Sequence, residues 1–145
     1  KKITVASYPI KIVEEGGIEY ILDSIRKKYV RYTPEEYVRQ ECIRYLIEDC
    51  NFPKGCISVE KKIQIGDRFL RYDIVVYKDV HPWMLIECKA PTITINAEIF
   101  MQSLVYQHTL QAKYIMLTNG EQTICMDIAN RKWMEEMVTW DEEIQ

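Results

Sequence analysis

Asp73 stands inside an otherwise apolar run, with Ile74-Val75-Val76 directly after it, and Glu87 and Lys89 close a second run, Trp83-Met84-Leu85-Ile86. Charged groups so placed are costly unless something compensates them. Glu87 and Lys89 are two residues apart, so on a strand they project from one face, and an adjacent strand can bring Asp73 opposite them. Two carboxylates and a lysine then converge. Hard cations such as Mg²⁺ take oxygen ligands and are commonly held by one or two carboxylates, with water and substrate phosphates completing the octahedron. A lysine beside such an ion can orient the attacking water or offset charge building on a phosphate during hydrolysis. The plainer explanation of the same residues is a salt-bridged cluster at a sheet edge, and spacing alone leaves both open.

The elements that must position these residues are readable from periodicity. Thr33-Pro34-Glu35-Glu36 predicts a helix start, with Thr as N-cap, Pro in the first turn and Glu36 closing a capping box. The helix should run to about Cys50, its stripe of Val38, Cys42, Tyr45 and Leu46 facing a core while Arg39, Arg44 and Glu48 lie elsewhere. After a turn at Asn51 to Gly55, Ile57, Val59, Lys61, Ile63 and Ile65 alternate as a strand, Gly66-Asp67 turns, and Phe69 to Tyr77 returns, a hairpin. Trp83 to Ile86 reads as a strand buried on both faces, stopped by Pro91. Asn96 to Gln111 predicts a second helix, with Ile99, Leu104, Val105 and His108 as inner candidates. Tyr114 to Thr118 and Thr123 to Ile128 predict two strands joined by an Asn119-Gly120 turn. Ile18 to Tyr32 reads as an edge hairpin or irregular arm, and Arg131 to Trp140 as a last short helix. The expected fold is α/β, a mixed sheet flanked by helices, in one domain over 1–145: a core of about 33–128, an N-terminal arm of 1–32 and a C-terminal tail of 129–145.

Composition narrows the classes further. With 145 residues, 48% of them hydrophobic and 28% charged, the chain predicts one ordinary soluble domain. No apolar run approaches the roughly 18 residues a membrane span needs. Lys1 to Val13 does not read as a secretory signal, so the expected location is the cytoplasm. Five cysteines without a Cys-x-x-Cys pair argue against a disulfide framework and against a zinc site. A net charge of −3 gives no global push toward nucleic acid, so such binding must rest on metal ions or a local basic patch. Two patches stand out: Arg26, Lys27, Lys28 and Arg31, interleaved with Tyr29 and Tyr32, and Lys61, Lys62, Arg68 and Arg71 around the hairpin. For the first, a solvated face is the commoner explanation. His81 and His108 have no partner at ligand spacing and read as structural. Cys88 should point away from Glu87 and Lys89, which argues against a catalytic thiol.

The strand bearing Asp73, a loop of about a dozen residues and a strand ending Ile86-Glu87-Cys88-Lys89 resemble the PD-(D/E)XK nuclease core. The nearer resemblance is to the N-terminal nuclease domain of the type I restriction enzyme motor subunit and to short stand-alone bacterial proteins like it. It is carried by Thr33-Pro34-Glu35-Glu36-Tyr37-Val38-Arg39-Gln40, Arg71-Tyr72-Asp73-Ile74-Val75-Val76-Tyr77 and Leu85-Ile86-Glu87-Cys88-Lys89-Ala90-Pro91, by the Gln-x-x-x-Tyr pattern of Gln102 and Tyr106, and by Leu117-Thr118-Asn119-Gly120. Tyr72 departs from the Pro of the family name. The resemblance implies a restriction-endonuclease-like fold and Mg²⁺- or Mn²⁺-dependent hydrolysis of DNA. It implies that Asp73 and Glu87 are metal ligands, that the Cys88 carbonyl adds a third oxygen, and that Lys89 is the catalytic lysine. Glu36 matches the helix carboxylate that can hold a metal-bound water or a second ion, with Glu41 the competing position; the capping box accounts for Glu36 as well. Gln102 and Tyr106, one helical turn apart, can position the scissile phosphate or the nucleic-acid backbone, or simply pack the helix. Motor or specificity subunits would come from other chains, since no Gly-x-x-x-x-Gly-Lys-Ser/Thr loop occurs here. The alternative is a nucleic-acid-binding or assembly module with the nuclease fold and little cleavage of its own.

Overall fold

The computed structural model describes residues 3–5, 7–107 and 111–140, and the side chains of all of these except 63, 65 and 103–107. Three short strands, β1 (Ile12–Glu15), β2 (Ile18–Asp23) and β3 (Lys28–Arg31), form an antiparallel sheet of their own. Helix α1 (Pro34–Glu48) follows, then a single 3-10 turn (Lys54–Cys56), strands β4 (Ile57–Ile65), β5 (Arg68–Lys78) and β6 (His81–Cys88), helix α2 (Ala97–Gln107), and strands β7 (Tyr114–Thr118), β8 (Thr123–Asp127) and β9 (Lys132–Trp133). The second sheet has the order β4-β5-β6-β7-β8-β9. Only the β6–β7 pair in it is parallel, as it must be when α2 lies in the crossover between them.

The two helices cover opposite faces, and the period-two alternation of the central strands sorts the core accordingly. Ile74, Val76, Met84, Ile86, Cys88 and Met116 pack with Val38, Cys42 and Leu46 of α1. Val75, Leu85, Ile115 and Leu117 pack with Phe100 of α2. Trp83 to Ile86 are all buried, which explains why that strand reads as an unbroken apolar run. On the α1 side an edge-to-face aromatic group, Phe52, Trp83, Tyr114 and Trp140, closes the end of the core.

Both helix starts follow their sequence signals. Thr33 is extended and its side chain accepts the Glu36 N–H, while Asn96 Oδ1 accepts the Ile99 N–H at 2.9 Å. The capping box is only half made, because the Glu36 carboxylate is taken by Arg39 and Gln40. Arg39 itself corrects the helical wheel: it lies three residues before Cys42 and seven before Leu46, beside the apolar stripe, and is 6% exposed. The second helix ends short of Gln111, whose φ is 57°; His108 lies outside the described residues. The arm is a three-strand sheet rather than a lone hairpin. The expected terminal helix is absent over 131–139: Lys132–Trp133 pairs with β8 instead, and Trp133 stacks edge-on to Phe100 at 4.8 Å. No helix among the described residues is long and apolar enough to cross a membrane.

Removing the α1 cap tests how much the helix start contributes. Thr33→Ala should lower unfolding free energy by about 1 kcal/mol in urea titration, with an unchanged slope, since one orphan N–H loses its acceptor and no packing is disturbed.

Candidate active site

The β5–β6 ladder pairs Ile74 with Ile86, and one residue further the two strands diverge. There the Asp73 side chain takes over from the backbone: its Oδ2 accepts the Cys88 N–H at 2.7 Å. Glu87, on the neighbouring strand, points its Oε2 to within 3.9 Å of Lys89 Nζ. Asp73 and Glu87 are 21% and 22% exposed, so each carboxylate is largely withdrawn from water. Cys88 sends its thiol the other way, into the α1-side core, where its contact with Cys42 and full burial hold it protonated.

The segment after Cys88 is fixed by the neighbouring strand. Lys89 N–H donates to the Thr118 carbonyl at 2.8 Å, and Asn119 Nδ2 donates to the Ile93 carbonyl at 2.8 Å. Asn119 Oδ1 accepts the Glu121 and Gln122 N–H groups, closing its own turn. Gly120 completes it at φ 92°, where a Cβ would come 3.4 Å from Val38. The Leu117-Thr118-Asn119-Gly120 motif is thus the clamp that seats Lys89 and the loop behind it.

Electrostatics set the pair apart. Burial raises the Glu87 carboxyl, the nearby Asp73 charge raises it further, and only Lys89 opposes, leaving it at about 7. Asp73 is also raised by burial, with the Cys88 N–H and Arg39 pulling it back. Glu35, exposed in the first turn of α1, adds negative charge to both. Tyr72, buried beside Glu87, is raised to about 12 by burial and by that carboxylate.

Arg39 is the cation built into this arrangement. Its Nη1 lies 3.7 Å from Asp73 Oδ1, its Nε donates to Glu36 Oε2 at 2.9 Å, its Nη2 donates to Glu36 Oε1, and Nη2 also donates to Glu60 Oε1 at 2.9 Å. Burial alone would loosen its proton, but the two glutamates raise its pKa above the ordinary arginine value.

The expected residues therefore divide. Asp73, Glu87 and Lys89 come together. Glu36 is buried next to them with its carboxylate committed to Arg39 and Gln40, so it reaches Asp73 through Arg39. Glu41 turns away, its Oε2 accepting from Ser7. Gln102 is exposed on α2, and the Tyr106 side chain lies outside the described residues. Sequence reasoning passed over Glu35 and Arg39. The signal for Arg39 was its position beside the core stripe; for Glu35, the doubling of acids after Pro34.

Among the described residues, no three Asp, Glu, His or Cys side chains form a ready-made metal cage. An oxygen-seeking divalent ion needs less than that. The donors that are present fit it: two neighbouring half-buried carboxylates, with more negative charge around them than Lys89 and Arg39 relieve.

Comparison with known proteins bears on this geometry. The family described as "Type I restriction enzyme R protein N terminus" matches residues 34–139. The chain belongs to that family. Among curated proteins nothing matches significantly. A solved fragment assigned as an HsdR subunit of a type I restriction enzyme from Vibrio vulnificus superposes with a TM-score of 0.56 at 16% identity, covering 74% of this chain. The fold is thus the restriction-endonuclease-like α/β core. This chain spans 24% of the length of that fragment.

The raised Glu87 carboxyl has a thermodynamic consequence. Its folded pKa of about 7 exceeds the unfolded value, so the folded state holds this proton more tightly, and the associated stability, full at acidic pH, is lost as pH rises from about 4.5 through 7. Glu87→Gln should therefore melt higher than wild type at pH 8 in EDTA, by on the order of 1–2 kcal/mol, and show no such gain at pH 5. A gain that is the same at both pH values would mean the carboxylate is not destabilised by its surroundings.

Proposed function

We propose that this chain is a metal-dependent nuclease domain of the PD-(D/E)XK kind, hydrolysing phosphodiester bonds of DNA. The observation that carries the reading is the convergence of Asp73, Glu87 and Lys89 at the exit of a central strand, in a chain of the type I R protein N-terminal family. Asp73 and Glu87 would hold Mg²⁺ or Mn²⁺, with the Cys88 carbonyl as a third oxygen. Such an ion, when bound, would supply a water of lowered pKa and polarise the phosphate. Lys89, whose backbone is seated by Thr118, would orient the attacking water or offset charge on the phosphate. For the helix carboxylate, the committed hydrogen bonds of Glu36 favour Glu35 as the holder of a metal-bound water, with Glu36 acting on Asp73 through Arg39. Gln102, exposed on α2, and Tyr106 would guide the nucleic-acid backbone.

One observation favours a second reading. The matched HsdR fragment is about four times as long as the aligned region, so the nuclease-like core stands there beside much further chain, and motor or specificity subunits are the partners this reading proposes. The domain would then bind DNA and cut only within an assembly.

Two variants separate the roles. Asp73→Asn removes an anionic ligand, so Mn²⁺ affinity and the metal-induced rise in melting temperature should both fall; an ion at 100 times its dissociation constant stabilises by about 2.7 kcal/mol. Lys89→Ala removes a positive charge beside the ion, so metal binding should survive or strengthen while nicking of plasmid DNA is lost. Calorimetric titration alongside the nicking assay reads both. Full cleavage by Lys89→Ala, or equal loss of metal affinity in the two variants, overturns the assigned roles; binding of DNA by wild type with no cleavage in Mg²⁺ or Mn²⁺ favours the assembly module.

A further inference from the structure

The β4–β5 hairpin outgrows the sheet it belongs to. β6 pairs with β5 only over Ile74 to Lys78, whereas β4 and β5 remain paired out to Ile65 and Arg68. Beyond Asp73, the two strands of the hairpin therefore form a two-stranded arm. Within residues 61–71 it carries Lys61, Lys62, Arg68 and Arg71 against one acid, Asp67, a local charge of +3 in a chain whose net charge is −3. All four cations are exposed.

The register places part of this charge on one face. Lys62 is directly opposite Arg71 and Gln64 opposite Phe69, so these four side chains share a side of the arm. Phe69 is 60% exposed, and the Lys62 ammonium sits over its ring at 5.4 Å. An exposed phenylalanine on a two-stranded arm contributes little to a core; here it presents a flat apolar surface and fixes the direction of a lysine. Glu60, two residues from Lys62, feels the Arg71 charge, and its carboxylate is already engaged by Arg39 and Arg26.

We propose that this face, Lys62, Phe69 and Arg71, is a binding surface for the backbone of duplex DNA next to the bond to be cut. The proposal rests on the nuclease reading for its substrate. Arg71 and Phe69 lie two and four residues from Asp73 on the same strand, about 7 and 13 Å at 3.3 Å per residue. At an axial rise of 3.4 Å per nucleotide, that sets the arm about two to four steps from the reacting phosphate. Lys62 and Arg71 neutralise phosphates, and the ring of Phe69 packs on the sugars between them. The arm explains how an acidic chain holds a polyanion: its other residues sum to −6, and the positive charge is concentrated where the substrate must lie.

The test uses the intact chain and a labelled duplex oligonucleotide, with metal chelated by EDTA so that binding is read apart from cleavage. Fluorescence anisotropy from 50 to 200 mM KCl gives the slope of log affinity against log salt. The Lys62→Gln/Arg71→Gln double variant should lose at least tenfold in affinity at low salt, and its slope should shrink by about 2, near 0.9 for each phosphate contact. A control with the same charge change elsewhere, Lys27→Gln/Lys28→Gln, should keep the wild-type slope, and both variants should melt like wild type. An unchanged slope in the hairpin variant, an equal loss in the control, or no duplex binding by wild type overturns the proposal. The nuclease reading is judged separately, by nicking in Mn²⁺: the hairpin variant should need more DNA to reach the same maximal rate, whereas a wild type that binds through the arm yet never cuts sinks the nuclease and leaves the arm standing.

Discussion

One substitution of partners governs the site: where the β5–β6 ladder stops, a side-chain carboxylate replaces a backbone carbonyl as the acceptor of the Cys88 N–H. A buried N–H without an acceptor is costly, and so is a buried carboxylate without donors. Joined, each offsets part of the other's penalty, and the bond ties the Asp73 carboxylate to the adjoining strand. Its second oxygen lies 3.7 Å from the Arg39 guanidinium. Among the described residues the neighbouring Glu87 has no such donor, and burial followed by the Asp73 charge raises its carboxyl. The two acids thus differ, one held fixed by a backbone N–H and the other destabilised as a carboxylate, a division of roles that suits the proposed metal site.

Everything around the pair serves to hold charge where the core would exclude it. The α1 helix brings its N-terminal turn over the end of the sheet, and its buried Arg39 ties Glu36, Glu60 and Asp73 into one group. A lone buried guanidinium would be unfavourable; three acids around it make it permissible, and they also bind α1 to β4 and β5. Glu60 extends the group to Arg26 and, through it, to Asp23 of the N-terminal sheet. Asp23 is fully buried and held below the usual carboxylate range by Arg26 and by backbone N–H groups, against the pull of burial. The N-terminal sheet is therefore connected to the site electrostatically, though it contributes no strand to the main sheet.

How much of this was legible follows from which forces leave a mark in the sequence. Periodicity gave α1, the hairpin, β6, the start of α2 and the β7–β8 pair, because burial on one or both faces writes itself as 3.6- or 2-residue patterns. The three catalytic candidates were legible for the complementary reason: Asp73, Glu87 and Lys89 interrupt apolar runs. Arg39 and Glu35 were missed because their significance is tertiary. A long cation beside an apolar stripe looks like a solvated neighbour until a strand supplies acids against it. The tail failed as a helix because the spacing of Trp133, Met134 and Met137 suits a helix, yet Met134 N–H finds the Cys125 carbonyl and extends the sheet instead. Tertiary pairing outweighed a weak local pattern.

The topology also explains why the charges gather at this end of the sheet and not the other. β6 and β7 are the parallel pair, so their C-termini, Cys88 and Thr118, leave on the same edge, and the chain there must diverge, to α2 in one case and to the Asn119 turn in the other. No hairpin turn joins the two strands at this end, so their exits are not covered by a turn of their own. Asp73 reaches this end from β5 because antiparallel pairing brings its position level with Glu87. At the opposite end, Trp83 near the start of β6 stacks edge-on with Tyr114 at the start of β7 and is covered by Phe52 and Trp140, so that end is closed by aromatic rings. One end of the sheet is sealed by apolar packing and can carry the stability. The other is left with half-buried acids that packing alone does not satisfy, a cost that the proposed cation and anionic substrate would relieve.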